Sequence, residues 1–200
     1  MKNVFEARRK ILKDGVMLAL AASASLAGGG GAVRAAPSDS KILVAYFSRT
    51  GNTSLVARQV ARALGAAMHE IRPVHAYPED YEATVRQAQD ETQRGYEPPL
   101  LERVENFGQR ERVYLAFPIW GMTVPPVVRS FLSAHEWQGK MIVPLITHGG
   151  YGTGNALEVI RQCASGARLE PGFVMEGEQE RRVLQRVTGW LTKSQPVPRG

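Results

Sequence analysis

A run of six residues has the chemistry that binding a phosphate group requires. It combines three hydroxyls, an amide, a glycine and a single cation: Ser48, Arg49, Thr50, Gly51, Asn52 and Thr53. A nearly unbroken apolar segment (41–47) precedes the run and apolar residues at helical spacing follow it, which predicts a strand, a short turn and a helix. The first turn of such a helix directs backbone N–H groups and the positive end of the helix dipole at an anion.

Arg49 is the only cation of this phosphate loop (residues 48–53), which contains no lysine. A triphosphate would require a lysine and a hydroxyl that binds Mg²⁺, so a phosphate monoester fits the loop better. An ordinary capped helix start is the alternative, but capping needs only one Ser, Thr or Asn. The sequence therefore predicts a site for a single phosphate group.

Around this loop the chain resembles the flavodoxins. Residues 44–60 read VAYFSRTGNTSLVARQV, which is similar to the flavodoxin signature for the FMN phosphate. The matching positions are one aromatic, two hydroxyl-bearing, two small and one aliphatic residue: Tyr46, Ser48, Thr53, Gly51, Ala57 and Val60. Ala45 departs from the pattern, where a larger apolar residue is usual. The resemblance covers about residues 41–192 and implies FMN as a tightly but non-covalently bound cofactor.

A tryptophan follows the third predicted strand, in a segment that we name the tryptophan loop (residues 118–124). The expected cofactor contacts in it are Pro118, Ile119, Trp120, Gly121 and Met122. An indole at a strand end can stack on a flat ring, although a tryptophan that only packs on the core is the alternative. The resemblance implies that the peptide between Gly121 and Met122 rotates when FMN accepts one electron, and glycine makes such a rotation inexpensive.

A glycine-rich segment, the glycine loop (residues 148–154), follows the fourth predicted strand. Its backbone can lie against a ring and donate N–H groups to the polar edge of that ring. The expected contacts are His148, Gly149, Gly150, Tyr151 and Gly152, with Tyr151 as a second stacking ring. A triphosphate-binding loop is excluded because Asn155 and Ala156 stand where that motif needs Lys and Ser or Thr. His148 either tunes proton delivery to the cofactor or bonds a backbone carbonyl.

The remaining histidines and the cysteine carry no predicted site. His69, His75 and His135 are scattered and no cysteine accompanies them, so no metal site is predicted. Cys163 is the only cysteine, which excludes a disulfide within the chain, and its helical surroundings predict a packing residue.

Five predicted strands alternate with helices along the chain. The strands are expected at residues 41–47, 67–71, 112–117, 140–147 and 167–175, and the helices at 55–64, 81–94, 126–134, 155–163 and 181–192. This alternation predicts an α/β fold with a parallel, doubly wound sheet. The resemblance implies the three-layer flavodoxin-like arrangement of five strands in the order 2-1-3-4-5, with FMN between strands 1 and 3. Pro144 suggests a bulge or an early edge in the fourth strand.

Composition limits the other classes of function. Two hundred residues, of which 44% are hydrophobic, suit one α/β domain. The net charge is +6, but residues 1–35 hold six basic and two acidic residues, which leaves 19 basic and 17 acidic for the rest. A nearly neutral domain without a basic aromatic face is not expected to bind nucleic acid.

The first 35 residues resemble a twin-arginine export signal. Arg8 and Arg9 are paired in a basic segment, a weakly apolar run spans residues 16–27, and Val33 and Ala35 suit a cleavage site. The run is too short for a permanent membrane anchor. We therefore expect a signal peptide at 1–35 and a flavodoxin-like domain at 36–200 (core 41–192) that is periplasmic or otherwise exported from a bacterial cytoplasm. The alternative is a disordered basic tail on a cytosolic protein.

The function expected first is FMN-dependent electron transfer to a redox partner protein or a small-molecule electron acceptor. Flavodoxins are usually acidic, and the neutral balance here keeps two alternatives open. One is a two-electron reductase that takes hydride from NAD(P)H and passes it to quinones or other acceptors. The other is a non-redox module that binds a phosphate ligand.

Overall fold

A parallel sheet of six strands, with helices on both faces, forms the part of the chain that the structure describes. The structure is a computed structural model that describes residues 40–176 and 180–194. Its strands are β1 (Ile42–Tyr46), β2 (Ala67–Glu70), β3 (Arg112–Pro118), β4 (Met141–His148), β5 (Arg168–Leu169) and β6 (Phe173–Glu176). Its helices are α1 (Asn52–Leu64), α2 (Tyr81–Gln93), α3 (Pro126–Ser133), α4 (Ala156–Cys163) and α5 (Glu180–Ser194), with a 3₁₀ turn at Phe107–Gln109.

The strands follow the order β2-β1-β3-β4-β5, and β6 also pairs with β4. All of these pairings are parallel. Neighbouring parallel strands need a crossover connection, and the helices between the strands supply it. The predicted flavodoxin-like order 2-1-3-4-5 is therefore confirmed.

Successive residues of each central strand pack against opposite helix layers. In β1, Leu43 belongs to the core cluster that contains Phe131 of α3, whereas Val44 belongs to the cluster with Val60 of α1 and Val187 of α5. All of them are buried. Burial of both sheet faces explains the continuous apolar runs that predicted these strands.

The predicted fifth strand (167–175) is split into β5 and β6. The backbone carbonyls of Lys140 and Ile142 accept hydrogen bonds from this neighbouring strand. Every second residue of β4 therefore directs its backbone polar groups at that strand, and Pro144 is the next residue in this series. Proline offers no N–H, and a Cβ at Gly172 would lie 2.1 Å from the Pro144 carbonyl oxygen. Pro144 thus interrupts the neighbouring strand, while β4 continues through it without the predicted bulge or early edge.

The carboxyl ends of β1, β3 and β4 meet at one edge of the sheet. Tyr46 lies beside Ala116, and Pro118 lies beside Thr147. This register brings the phosphate, tryptophan and glycine loops to the same edge, where parallel sheets bind their ligands.

The predicted signal peptide (1–35) and the predicted domain boundary after it lie outside the described residues. Within the described ranges, no helix combines the length and the apolar character needed to cross a membrane.

Candidate functional site

The phosphate loop leads directly into α1. Gly51 has a left-handed φ of +97°, which suits glycine, and its N–H donates to Ser48 Oγ over 3.1 Å. The Ser54 hydroxyl donates to the Gly51 carbonyl over 2.7 Å. Among the described residues no side chain caps α1, and the first turn of α1 contains no acidic residue. The backbone N–H groups of this turn therefore remain available to an anion.

The two threonines of the phosphate loop have different surroundings. Thr50 is exposed, whereas Thr53 is 2% exposed and its Oγ1 lies 2.8 Å from Oγ1 of Thr147. A hydroxyl both donates and accepts, so Thr53 can bond Thr147 and a ligand together. Thr53 also ties the loop to the end of β4.

Arg49 connects the phosphate loop to the start of α2. Its guanidinium donates to the Glu79 carbonyl over 3.1 Å and lies 5.7 Å from the centre of the Tyr81 ring. None of the ion pairs found among the described residues includes Arg49. Its charge is therefore available to a phosphate.

A tight turn shapes the tryptophan loop. Trp120 and Thr123 exchange two backbone hydrogen bonds of 3.1 Å each, and φ is +55° at Gly121 and +67° at Met122. Positive φ at both central residues is the pattern of a type I′ turn. It costs little at glycine but strains methionine. Rotation of the peptide between them towards a type II′ turn would take Met122 out of the left-handed region.

Aromatic rings support Trp120 from the core side. The indole meets Phe47 edge-on at 5.1 Å between ring centres and Tyr77 at 5.0 Å. The Tyr77 hydroxyl donates to Oε2 of the buried Glu91 over 2.7 Å, and Gln87 Nε2 donates to Oε1 over 2.8 Å. Burial, and then the bond to Glu91, raises the pKa of Tyr77, so the phenol keeps its proton. Trp120 thus packs on the core and also lines a cavity at this edge.

His148 organises the glycine loop. Its Nδ1 accepts the N–H groups of Gly150 and Gly152 over 3.1 and 3.4 Å, so the neutral ring carries its proton on Nε2. These two N–H groups therefore face the histidine in the structure. Tyr151 is 83% exposed.

The glycine loop and the tryptophan loop are packed together. The Asn155 N–H donates to the Met122 carbonyl over 3.0 Å. A Cβ at Gly154 would lie 1.9 Å from the same oxygen, so only glycine fits there. The neighbouring Gly121 carbonyl takes part in none of the backbone hydrogen bonds found among the described residues. It is the free acceptor of this turn.

A cavity of about 680 Å³ joins the three loops, a volume within the usual range for small-molecule sites. The predicted site residues that line it are Ser48, Arg49, Thr50, Asn52, Thr53, Pro118, Ile119, Trp120, Gly121, His148 and Gly149. The predicted residues outside its lining are Gly51, Met122, Gly150, Tyr151 and Gly152. Cofactor contact by the second group stays a prediction.

One wall of the cavity was missed by the sequence reasoning. Helix α2 contributes residues at spacings of three and four: Tyr81, Thr84, Val85, Ala88, Gln89, Thr92 and Gln93. Thr123 and Thr147 complete the lining. The helical period was visible in the sequence, but a polar stripe does not reveal which face meets a ligand. The sequence feature that could have indicated this wall is the absence of charged residues at these α2 positions.

The lining contains no carboxylate, and among its described residues only Arg49 is Lys or Arg. One guanidinium at the phosphate loop suits a phosphate monoester better than a chain of phosphates. Elsewhere in the described residues, no group of three His, Cys, Asp or Glu side chains is arranged to hold a metal ion.

The chain belongs to the flavodoxin family, because the family model described as flavodoxin matches residues 41–193. A protein from Bacteroides eggerthii assigned as a flavoprotein is similar in structure, with a TM-score of 0.65 and 28% identity, over 76% of this chain and 96% of that one. A second protein assigned as a flavoprotein, from Bacteroides uniformis, has a TM-score of 0.61 and 26% identity, over 76% of this chain and 97% of that one. A flavoprotein from Lactobacillus acidophilus, solved in complex with FMN, shares the fold. Its TM-score is 0.57 and its identity 16%, over 72% of this chain and 97% of that one. No curated protein sequence matches the chain.

Family membership supports FMN as the cofactor, and the residues at this edge fit it. The uncapped first turn of α1 and Arg49 suit the phosphate, and Trp120 lines the same cavity with an aromatic ring. The chemistry of the cavity and the family therefore agree.

Proposed function

We propose that the protein binds FMN in this cavity and transfers electrons to an acceptor. One observation carries the proposal: a single cavity joins the phosphate loop at the uncapped start of α1 with the Trp120 indole. FMN has a phosphate monoester at one end and a planar ring at the other, which are the two groups that these features bind.

The phosphate would be held by the N–H groups of the first turn of α1 and by the lining side chains of the phosphate loop, which are Ser48, Arg49, Thr50, Asn52 and Thr53. Trp120 and the backbone at Gly149 would flank the ring. FMN supplies the redox chemistry when it is bound. The chain determines its position, its access to water and its hydrogen bonds.

Two features of the chain would influence the surroundings of bound FMN. The Glu91–Tyr77 hydrogen bond orients the tyrosine ring that supports Trp120. The free Gly121 carbonyl is an acceptor that peptide rotation can turn towards an N–H group of a bound ligand, and the rotation also relieves the positive φ of Met122.

Purification of the full chain tests the proposal directly. We expect a yellow protein with absorption bands at roughly 370 and 450 nm, as flavins have, and stoichiometric uptake of added FMN by the apoprotein. A colourless protein that fails to bind FMN in a fluorescence titration would instead favour the non-redox module.

The α2 wall favours a second candidate, a two-electron reductase, because it extends the cavity beyond the predicted phosphate and ring contacts. Anaerobic titration separates the two functions. A radical signal during stepwise reduction supports the one-electron carrier, whereas direct bleaching by NADH or NADPH supports the reductase.

We also propose that the protein is exported by the twin-arginine route to the periplasm. The paired Arg8 and Arg9 and the weakly apolar run after them support this proposal. A route for proteins that are already folded suits a domain that acquires its cofactor in the cytoplasm.

A further inference from the structure

Trp120 contacts a second oxidisable ring that lies outside the cavity lining. The indole lines the cavity and is half-buried, so a small oxidant in the cavity can reach it. Among the aromatic contacts of the described residues, the indole meets two rings, Phe47 at 5.1 Å and Tyr77 at 5.0 Å between ring centres. A phenol is much easier to oxidise than the benzene ring of phenylalanine. Tyr77 is therefore the neighbour from which an oxidised indole can recover an electron.

The Tyr77 phenol has a proton acceptor in place. Its hydroxyl donates to Glu91 Oε2 over 2.7 Å, while Gln87 Nε2 donates to Oε1 over 2.8 Å. Both oxygens of Glu91 accept hydrogen bonds, as in an ionised carboxylate. A phenol that loses an electron becomes a strong acid, and its proton moves most readily to a base already at hydrogen-bond distance. Glu91 is such a base.

A carboxylate at residue 91 costs more than the packing of Tyr77 requires. Glu91 is 4% exposed, and none of the ion pairs found among the described residues includes it. A buried charge without a cation is unfavourable. An amide at this position would accept the same Tyr77 hydroxyl without that cost, and Gln87 could turn its own amide to match. What the carboxylate adds is the capacity to take up a proton.

We propose that Trp120, Tyr77 and Glu91 form a one-electron relay that carries oxidising equivalents out of the cavity. A one-electron oxidant removes an electron from the Trp120 indole and leaves its cation radical. Tyr77 then returns one electron to the indole, the phenol O–H bond breaks, and the proton moves to Glu91 Oε2. The products are an intact indole, a neutral phenoxyl radical and a protonated Glu91, so charge and electrons balance. One electron from an external reductant, with the proton held by Glu91, restores the phenol.

The relay protects the aromatic ring that lines the cavity. An indole that stays oxidised reacts further and is destroyed, whereas the half-buried phenoxyl group of Tyr77 lies beside Phe47, at 5.9 Å between ring centres. The three side chains of the relay meet without a cofactor. The inference therefore goes beyond the proposed function and does not depend on it.

The test follows radicals in the full-length apoprotein after a pulse of azide radicals, which oxidise indoles faster than phenols. Every sample carries Trp190→Phe, because Trp190 is the other half-buried indole of the described residues, whereas Trp137 is 3% exposed. Optical absorption records the decay of the indole radical and the growth of the phenoxyl radical. Urea unfolding shows whether each variant is folded.

In this parent protein we expect the phenoxyl signal to grow as the indole radical decays, and to grow more slowly in D₂O because a proton moves with the electron. Tyr77→Phe should abolish this coupled phase while it keeps the ring contact with Trp120. Glu91→Gln should slow the phase about 100-fold, since a positioned proton acceptor typically contributes that much or more. The matched control is Tyr114→Phe, which removes a buried phenol that contacts Trp190 and should leave the phase unchanged.

Three results would overturn the relay: an unchanged coupled phase in Tyr77→Phe, an unchanged phase in Glu91→Gln, or equal rates in H₂O and D₂O. The solvent comparison uses the parent protein alone, so it is decisive even if a variant fails to fold. FMN uptake is measured separately on the same apoprotein, which keeps failure of the proposed function distinguishable from failure of the relay.

Discussion

At the scale of single residues, the phosphate-loop threonines separate ligand binding from stability. Thr50 is exposed, so its hydroxyl is free to serve a ligand, whereas Thr53 also bonds the buried Thr147 hydroxyl. Substitution of Thr50 should therefore affect ligand binding alone, whereas substitution of Thr53 should affect both ligand binding and the stability of the fold.

We expect Thr50→Ala and Thr53→Ala each to weaken FMN binding about tenfold or more, because a hydrogen bond to a charged group contributes about 1.5–3 kcal/mol. Thr53→Ala should also lower the free energy of unfolding by about 1–3 kcal/mol, since Thr147 loses its partner. Fluorescence titration and urea unfolding of the apoprotein measure the two effects. Thr188→Ala, an exposed change on α5, is the control. Wild-type FMN affinity in both loop variants would show that the phosphate binds elsewhere.

The turn at Gly121 allows a second residue-scale prediction. The described turn has positive φ at Gly121 and Met122, and the rotated type II′ form needs glycine at the first of these positions. A β-carbon at residue 121 strains both forms, but the left-handed region of the described turn admits other residues at a cost, whereas the first position of the rotated form is almost restricted to glycine. The substitution should therefore disfavour the rotated form relative to the described one by about 1 kcal/mol or more, which corresponds to roughly 40 mV in a one-electron potential.

Gly121→Ala should therefore lower the potential of the first one-electron reduction of the FMN-loaded protein and raise that of the second. Potentiometric titration measures both. Gly108→Ala is the control, because its φ is not left-handed and a Cβ there meets no atom within 4 Å. Unchanged potentials in Gly121→Ala would mean that the peptide rotation does not occur at this turn.

At the scale of elements, β2 and the segment that follows α3 each contain a histidine whose neutral form the fold favours. His69 stacks on Phe131 at 5.9 Å between ring centres. His135 donates from Nδ1 to the Phe131 carbonyl over 2.8 Å and accepts the Val104 N–H at Nε2 over 3.3 Å. Burial is the main cause that lowers the pKa of both. Protonation of His135 would also remove the acceptor that Val104 uses.

Both pKa values are lower in the folded state than the value of about 6.5 in the unfolded chain. The contribution of the two neutral histidines to the free energy of unfolding is therefore complete above about pH 6.5, and it is lost as the pH falls towards their folded-state pKa values. We expect the urea midpoint to fall between about pH 7 and pH 5, and the double change His69→Gln with His135→Gln to flatten this dependence. His75→Gln, a change at an exposed histidine, should leave the dependence as in the wild type. An equally steep fall in the double variant would assign it to other groups.

At the scale of the whole molecule, charge is divided unevenly along the chain. The excess of basic residues lies in residues 1–35, and the flavodoxin-like part is nearly neutral. Under the proposed function, long-range charge would offer this domain little selection among acceptors, and recognition would depend on local chemistry.

The paired arginines give the prediction at this scale. Arg8→Lys together with Arg9→Lys keeps the charge, so only a receptor that reads arginine geometry should respond. We expect the double variant to accumulate in the cytoplasm with its FMN bound, as measured by cell fractionation and flavin absorption. Lys2→Arg, which leaves the pair intact, is the control. Normal export of the double variant would exclude the twin-arginine route.

Local patterns in the sequence were sufficient for the fold and for the phosphate loop. The alternation of buried strands and amphipathic helices depends on the period of apolar residues, which each segment carries by itself. The hydroxyls and the glycine at 48–53 lie where the chain leaves β1 and enters α1, a position that neighbouring residues determine by themselves. The strand order was predicted from the resemblance to the flavodoxins, and the alternation of strands and helices along the chain agreed with it.

Only the tertiary structure decided how distant segments meet. Pro144 was visible in the sequence, but its effect falls on Gly172 of the neighbouring strand. Tyr77, Glu91 and Trp120 come together across 43 residues because α2 lines the same cavity as the tryptophan loop. Periodicity shows that a helix has a polar face, but contact with a cavity depends on where the crossover places that face. The sequence alone could therefore predict residues of the phosphate loop that line the cavity, while the α2 wall became visible only in the folded chain.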